Sequence, residues 1–291
     1  MAAPLDFGTA LGPARTVELP GGPIDVHERG EGRPVVLLHG VALHAGFWRK
    51  VVPELADAFR CVTPTLPMGG HRLPMRADAD LSPPGLADLT ADLLAALDLE
   101  DAVIVGNDTG GALAQILVTR RPERVGALVL TPCDAFNHFF PWQFKGLQVA
   151  ARIPGAPWIA AQALRVGLVR RSPLGFGLLT KHGIDDDVLA SYVEPVRRSA
   201  DVRRDLARVL RGVSSRHTTE AAERLAGFDR PTLIAWARED RVFPTGDARR
   251  LTEIIPNARL EWIDDSWTYV PEDQPARLAR LIRDFAEARP S

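Results

Sequence analysis

One stretch of the sequence combines a candidate nucleophile with the small residues that such a group needs around it. The hexapeptide 106–111 (GNDTGG) follows the apolar run 101–106, which is typical of a strand buried on both faces of a sheet. Small residues two positions before and two after Asp108 permit a sharp strand-to-helix turn that lifts one side chain above the sheet. Asp108 is therefore predicted to attack carbon and form an ester intermediate. The alternative is that Asp108 only caps the helix predicted at 110–121.

A second loop can supply hydrogen-bond donors for developing negative charge. His39-Gly40-Val41 ends the apolar run 34–39, and the backbone N–H groups of Val41 and Thr109 can together form an oxyanion hole. His39 itself is interpreted as structural, because a histidine at a strand end usually bonds to nearby backbone.

A third loop carries an acid. Asp240 follows the strand predicted at 231–237, in the chain order nucleophile, acid, histidine. An ordinary acidic turn residue is the alternative. Asp134, just after the strand predicted at 125–131, is a second candidate for the acid.

The elements that position these loops alternate between strand and helix. Short alternating segments at 16–19 and 24–28 predict a hairpin. Further strands are predicted at 34–39, 60–66, 101–106 and 125–131, with helices at 47–59, 85–99 and 110–121. This rhythm predicts an α/β fold with a doubly wound, mostly parallel sheet and right-handed crossovers.

The rhythm stops after residue 132 and resumes at residue 231. No strand is predicted from 135 to 228, only helices such as 158–169 and 202–213. Strands at 231–237 and 259–263 and helices at 246–255 and 275–288 then complete the pattern. We therefore predict a core formed by residues 1–134 and 229–291, with a helical cap over residues 135–228.

Composition and charge exclude several classes of protein. The 291 residues include 35 basic and 37 acidic side chains, a net charge of −2, and 46% are hydrophobic. These values exclude disordered and fibrous classes and predict no nucleic-acid partner. No apolar stretch approaches the ~18 residues of a membrane span, so no membrane partner is predicted.

Residues 1–16 lack the pattern of an export signal, and Cys61 and Cys133 are interpreted as reduced thiols, which together predict a cytoplasmic protein. The basic residues are mostly arginines, typical of GC-rich bacterial genomes.

Taken together, these residues resemble the α/β-hydrolase superfamily. The aspartate in the turn is similar to that of its haloalkane dehalogenase and epoxide hydrolase branch, and the likeness covers nearly the whole chain. The resemblance implies Asp108 as nucleophile, Val41 and Thr109 as oxyanion donors, and Asp240 as the acid that orients a histidine. It implies neither a cofactor nor a metal.

The histidine that the resemblance requires is missing. Its place, in the segment 263–275 that leads to the last helix, is taken by Thr268, and no histidine follows Asp240. A threonine hydroxyl is no general base near neutral pH. His71 and His138 are candidates for an alternative base, although a packing role is the competing interpretation of each. Asp108 acting as a general base itself is another solution.

The substrate is predicted only by class. An aromatic residue and an asparagine that usually mark haloalkane dehalogenases are replaced by Thr109 and Val41, and the only tyrosines are Tyr192 and Tyr269, where epoxide hydrolases use a pair from the cap. Aromatic residues crowd the start of the cap, which favours a small apolar molecule. We predict a hydrolase that acts through Asp108 on an ester, epoxide or alkyl halide. The alternative is a degenerate member that binds a ligand or catalyses a non-hydrolytic elimination or cyclisation. The sequence leaves open whether the chain forms a homo-oligomer.

Overall fold

Eight strands form one sheet in the order β1-β2-β4-β3-β5-β6-β7-β8. The computed structural model describes residues 5–173 and 175–288. The strands are β1 (Ala14–Leu19), β2 (Gly22–Arg29), β3 (Arg33–Leu38), β4 (Phe59–Pro64), β5 (Ala102–Asp108), β6 (Val125–Cys133), β7 (Thr232–Ala237) and β8 (Ala258–Ile263). The predicted hairpin is confirmed, because β1 and β2 pair antiparallel.

The predicted site residues lie at the carboxyl ends of the parallel strands. Strand β2 runs antiparallel to β4, whereas the six strands in the order β4-β3-β5-β6-β7-β8 are parallel to one another. Every residue of β5 is buried, as its apolar sequence predicts for a central strand. Ligands of open α/β sheets bind at this edge. The loops after β3, β5, β6 and β7, which carry the candidate residues, therefore meet there.

Twelve α-helices complete the described part of the chain. They are α1 (Gly8–Leu11), α2 (Pro83–Ala96), α3 (Thr109–Arg120), α4 (Lys145–Ala150), α5 (Ala156–Ala163), α6 (Gly167–Arg170), α7 (Asp186–Arg198), α8 (Ala200–Gly212), α9 (Ser215–Leu225), α10 (Thr245–Ile254), α11 (Val270–Asp273) and α12 (Pro275–Glu287). Helix α3 packs against α2 and against β5 and β6, which fixes the turn at Asp108. The predicted α/β fold with its mostly parallel sheet is confirmed.

The prediction of an α-helix at 47–59 is wrong. The chain forms two short 3-10 helices there, Ala45–Trp48 and Val52–Glu54. Pro53 lacks an N–H and disfavours the α conformation of Val52 before it, so the apolar spacing does not propagate an α-helix.

Only helices connect β6 to β7 in the described residues, and we call residues 135–228 the cap segment. The helix predicted at 202–213 corresponds to α8. The one predicted at 158–169 is divided between α5 and α6, because Val166 is extended and precedes Gly167. The division into core and cap domains stays a prediction.

The described helices include none with both the length and the apolarity required to cross a bilayer. Cys61 and Cys133 are buried and unpaired.

Candidate active site

Asp108 lies in a strained turn between β5 and α3. Its backbone has φ 55° and ψ −132°, a conformation rare for a residue with a side chain and concentrated at functional sites. The neighbouring glycines make the turn sterically feasible: a Cβ on Gly106 would lie 2.6 Å from the Gly110 carbonyl oxygen, and one on Gly110 would lie 2.3 Å from the Leu38 oxygen. The small residues that predicted the turn are therefore required by close backbone contacts.

The carboxyl group of Asp108 is held by backbone on two sides. Its Oδ1 accepts a hydrogen bond of 2.8 Å from the N–H of Thr109. Its Oδ2 packs over Gly40, where a Cβ would approach it to 2.2 Å. The glycine of the His39-Gly40-Val41 loop therefore provides the space in which the carboxylate sits.

Val41 and Thr109 lie beside this group, as the sequence predicts. Val41 lines the same cavity as Asp108. In the described part of the chain its N–H donates to no acceptor. The Thr109 hydroxyl bridges two acids, since it lies 3.5 Å from Asp108 Oδ1 and 3.2 Å from Asp134 Oδ2.

Asp240 and Thr268 are in direct contact. The Thr268 hydroxyl donates to Asp240 Oδ1 over 3.1 Å, and the N–H groups of Val242 and Phe243 donate to the same oxygen, each over 2.7 Å. Asp240 Oδ2 is buried and has no partner in the described residues. The threonine hydroxyl thus lies beside the candidate acid, and its standing in the place of a histidine stays a prediction.

Three acids with raised pKa values surround the site. Burial raises the pKa of Asp108 well above its ordinary value, against the hydrogen bonds from Thr109 and Tyr269, and the charge of Asp240 adds to the rise. Burial raises the pKa of Asp134 in the same direction, and the charge of Asp108 contributes. Burial raises the pKa of Asp240 to about 7, against its backbone and Thr268 hydrogen bonds. Since like charges this close resist joint ionisation, the three acids titrate as a coupled cluster, at higher pH than isolated aspartates do.

The histidines near the sheet edge have other partners. His39 Nε2 accepts from the N–H of Leu66 over 2.9 Å, which confirms a structural contact, and burial lowers its pKa to about 4. His71 Nε2 lies 3.5 Å from Asp205 Oδ2, and His138 Nδ1 lies 2.5 Å from Asp247 Oδ2. Within the described residues, neither His71 nor His138 hydrogen-bonds to Asp108 or Thr268. The structure thus brings together Asp108, Asp240, Val41, Thr109 and Thr268, but not these two histidines.

Three residues that the sequence did not single out for the site support it. The Asn107 amide donates to the Thr268 carbonyl over 2.9 Å and to the Thr131 hydroxyl over 2.8 Å. These bonds tie residues 264–274, which we call the late loop, to the sheet. The Tyr269 side chain is buried and lines the cavity beside Asp108. Asp273 accepts hydrogen bonds from both the cap segment and the late loop. The only local signal was their proximity to Asp108 or Thr268 in the sequence.

A small apolar cavity of about 90 Å³ opens onto Asp108. Its walls come mainly from the cap segment: Phe140, Phe144, Leu147, Leu164, Phe176 and Leu179. Phe140 also lines a second cleft of about 360 Å³, which is bordered by Asp240, His138 and Trp142. Tyr192, in contrast, is fully buried against Glu272 and lines neither space. The walls of the cavity at Asp108 are thus largely apolar.

Comparisons with known proteins agree with this arrangement. Residues 35–281 match the model of the Alpha/beta hydrolase family. The chain is 29% identical over 276 residues to 2-hydroxymuconate semialdehyde hydrolase of Pseudomonas sp. (strain CF600), covering 91% of this chain and 90% of that enzyme. It is 26% identical over 271 residues to haloalkane dehalogenase 2 of Mycobacterium bovis, covering 90% of each.

A solved structure of a haloalkane dehalogenase from Bradyrhizobium elkani has the same fold. It matches with a TM-score of 0.76 at 21% identity, over 94% of this chain and 97% of that one. The resemblance inferred from the motifs is therefore confirmed, with dehalogenases and another hydrolase among the relatives. Because the family model spans most of the sequence, the chain belongs to the α/β hydrolase family.

Proposed function

We propose that this protein is a hydrolase in which Asp108 attacks an electrophilic carbon of a small apolar substrate. The observation that carries the proposal is a carboxylate in the strained turn, which faces an apolar cavity and accepts the backbone N–H of Thr109. The hydrolase relatives support the reaction type. Alkyl halides and epoxides suit a carboxylate nucleophile best, and an ester is the third class.

In the first step, Asp108 Oδ2 forms a bond to carbon and the carbon–halogen or carbon–oxygen bond breaks. A halide leaves as the anion, whereas an epoxide oxygen takes a proton. Tyr269 favours the epoxide, because its hydroxyl is a buried donor on the wall of the same cavity. The product of this step is an ester on Asp108.

In the second step, water gives up a proton and attacks Cγ of Asp108, the bond from Cγ to the substrate-bound oxygen breaks, and that oxygen takes up the proton and leaves as the alcohol or diol. The negative charge then develops on Oδ1, which already accepts the Thr109 N–H over 2.8 Å. Water needs a base, and we assign that role to Asp240. Its Oδ2 has no partner in the described residues, and a pKa of about 7 suits a general base at neutral pH.

Intact-mass measurements with short alkyl bromides and terminal epoxides test both steps. We expect wild type to form product without a lasting adduct and Asp240→Asn to accumulate an ester. Asp108→Asn should form neither product nor ester. Asp78→Asn is the matched control, because the Asp78 side chain is 84% exposed and far along the chain from the site. Full activity of Asp108→Asn would overturn the nucleophile, and equal turnover in Asp240→Asn would overturn the base.

Isotope labelling separates covalent from direct hydrolysis. In water enriched in heavy oxygen, attack at Cγ puts the label into Asp108 during the first turnover. Attack of water on the substrate puts it into the product instead, and would make Asp108 a general base.

The second candidate is a ligand-binding or non-hydrolytic protein, and the replacement of the histidine by Thr268 favours it. It predicts thermal stabilisation by an apolar ligand with neither adduct nor hydrolysis product. An elimination or cyclisation would give an isomeric or halide-free product that Asp108→Asn does not form.

A further inference from the structure

The cap segment exposes an unusual amount of apolar side chain. Nine large hydrophobic residues of the described chain are exposed, and all but Leu5 lie between residues 142 and 168. We call these eight the apolar cap face: Trp142, Leu147, Val149, Ile153, Trp158, Ile159, Val166 and Leu168. Trp142 is 77% and Leu168 82% exposed. Contiguous exposed apolar surface of this kind marks an interaction site.

The elements that carry these exposed residues pack against one another. Helix α4 packs against α5 and against the 3-10 helix Trp142–Phe144. The side chain of Arg170, on α6, donates to the carbonyls of Leu164 and Arg165 directly after α5. The exposed residues thus belong to one folded surface.

The same surface carries only positive charge from its own residues. No Asp or Glu occurs from residue 135 to 184, whereas Lys145, Arg152 and Arg165 lie among the exposed hydrophobic residues. These three are exposed, and none has an acidic partner within ion-pair distance in the described residues. Arg170 and Arg171, in contrast, pair with Asp186. The face therefore combines exposed tryptophans and leucines with cations that remain unneutralised, although the whole chain has a net charge of −2.

We propose that the apolar cap face docks on the surface of an anionic lipid bilayer. Tryptophan and leucine side chains bury at the boundary of headgroups and acyl chains, while lysine and arginine attract anionic headgroups. Such binding needs no spanning helix, so it is compatible with the sequence's lack of one. The sequence prediction of no membrane partner considered only spanning segments.

Charge argues against a second copy of the chain as the occupant. A symmetric pair would place the same patch on both sides of the interface. Lys145, Arg152 and Arg165 would then face an equally basic patch without acids of the cap face to neutralise it, and like charges repel. An anionic surface supplies the missing complement.

The apolar cap face adjoins the cavity at Asp108, because the two share a residue. Leu147 is exposed on the face and also lines the cavity at Asp108. Phe144 and Leu164, from the same segment, line the cavity as well. An apolar molecule dissolved in the bilayer would thus have a short apolar path to Asp108. Docking itself does not depend on the chemistry proposed for that residue.

Vesicle co-sedimentation of the full chain tests the proposal. The vesicles are phosphatidylcholine alone or an equal mixture with phosphatidylglycerol, each at low and high salt. We expect binding to the mixture to be about tenfold stronger than to phosphatidylcholine and to weaken with salt. Tryptophan fluorescence should shift to shorter wavelength on binding, because Trp142 and Trp158 leave water.

Two sets of variants separate the contributions. Trp142→Ser, Trp158→Ser and Leu168→Ser, combined in one chain, should weaken binding by about tenfold or more. Lys145→Glu, Arg152→Glu and Arg165→Glu, combined, should abolish the preference for phosphatidylglycerol. Leu5→Ser and Arg280→Glu are the controls, since both residues are exposed outside the cap segment. Asp108→Asn should bind vesicles like wild type, which distinguishes docking from the proposed reaction.

Two outcomes would overturn the proposal. One is equal, weak sedimentation with both kinds of vesicle that no cap variant changes. The other is a dimer in sedimentation velocity that the Trp142, Trp158 and Leu168 variant converts to monomer, without vesicle binding. The second outcome would assign the face to contact between copies of this chain.

Discussion

The carboxyl group of Asp240 is buried in the fold, and no cationic side chain of the described residues pairs with it. Its Oδ1 accepts two backbone N–H groups and the Thr268 hydroxyl, whereas Oδ2 has no partner in the described residues. No ion pair to Asp240 forms within that part of the chain. Burial therefore dominates and raises its pKa to about 7. The folded protein keeps this proton at pH values where an unfolded chain has lost it.

This difference predicts that stability falls as pH rises. Between the ordinary aspartate pKa near 4 and the folded value of about 7, the native state binds more protons than the unfolded state, so the free energy of unfolding decreases. Asp240→Asn stays neutral and should lose less stability between pH 5 and pH 8, by on the order of a few kcal/mol. Denaturant unfolding of both proteins at the two pH values measures the difference.

The exposed Asp78 again supplies the control, because its side chain is 84% exposed. Asp78→Asn should follow the pH profile of wild type. Parallel profiles for wild type and Asp240→Asn would contradict the burial argument.

At the scale of residues, the sequence predicted those site residues that lie within a recognisable local motif. The small residues around Asp108 predict the sharp turn that the structure contains. The chain order predicts Asp240 as the acid and Thr268 in the place of a histidine, and both assignments stay predictions. Asn107 and Asp273 act through contacts with partners 161 and 92 positions away. Such contacts leave no periodic signal, and therefore only the folded chain shows them.

At the scale of elements, Asp273 joins the cap segment to the late loop. It ends the short helix α11 and accepts hydrogen bonds from the Thr180 hydroxyl over 2.6 Å and from the Lys181 N–H over 2.9 Å. It also accepts the Trp267 N–H over 3.0 Å. One buried side chain thus holds the loop that contains Thr268 against residues that follow the cavity wall.

Asp273→Asn should loosen both attachments. The amide keeps the shape of the side chain, but it replaces a carboxylate oxygen that accepts charge-assisted hydrogen bonds. We expect a loss of about 2 kcal/mol in the free energy of unfolding and faster hydrogen exchange at Lys181 and Trp267. Asp264→Asn is the control, since its exposed side chain pairs only with Arg238 in the described residues. Unchanged exchange at both amides would refute the linking role.

The accuracy of the element predictions depended on burial and on proline. Every residue of an apolar run such as β5 is buried, so the sequence alone predicts a strand covered on both faces. The error at 47–59 arose because hydrophobic spacing was satisfied while Pro53 prevented α-helical bonding. The helices of the cap segment were the least defined, since glycine and proline interrupt them and much of their apolar surface is exposed.

At the scale of the whole molecule, a buried ion pair connects three distant parts of the chain. Glu272 lies on α11 and has no exposed side-chain surface. Its carboxylate binds Arg49, with 2.9 Å between Arg49 Nη2 and Glu272 Oε2, and Lys50 at 3.0 Å. The Tyr192 hydroxyl, on α7 of the cap segment, lies 3.4 Å from Glu272 Oε1. The core, the late loop and the cap segment therefore share one carboxylate.

Removing this charge should destabilise the protein as a unit. Glu272→Gln leaves Arg49, whose side chain is only 12% exposed, without its anion. Breaking a buried pair by removing one partner costs about 3 kcal/mol or more, so we expect Tm to fall by roughly 5–10 °C in a single calorimetric transition. Glu261→Gln, whose half-exposed pair with Arg277 spans 3.9 Å, should change stability by less than about 0.5 kcal/mol. An equal shift in both variants would contradict this assignment. A split into two transitions would contradict the expected loss of stability as a unit, because the cap segment would then unfold separately from the rest of the chain once the carboxylate is lost.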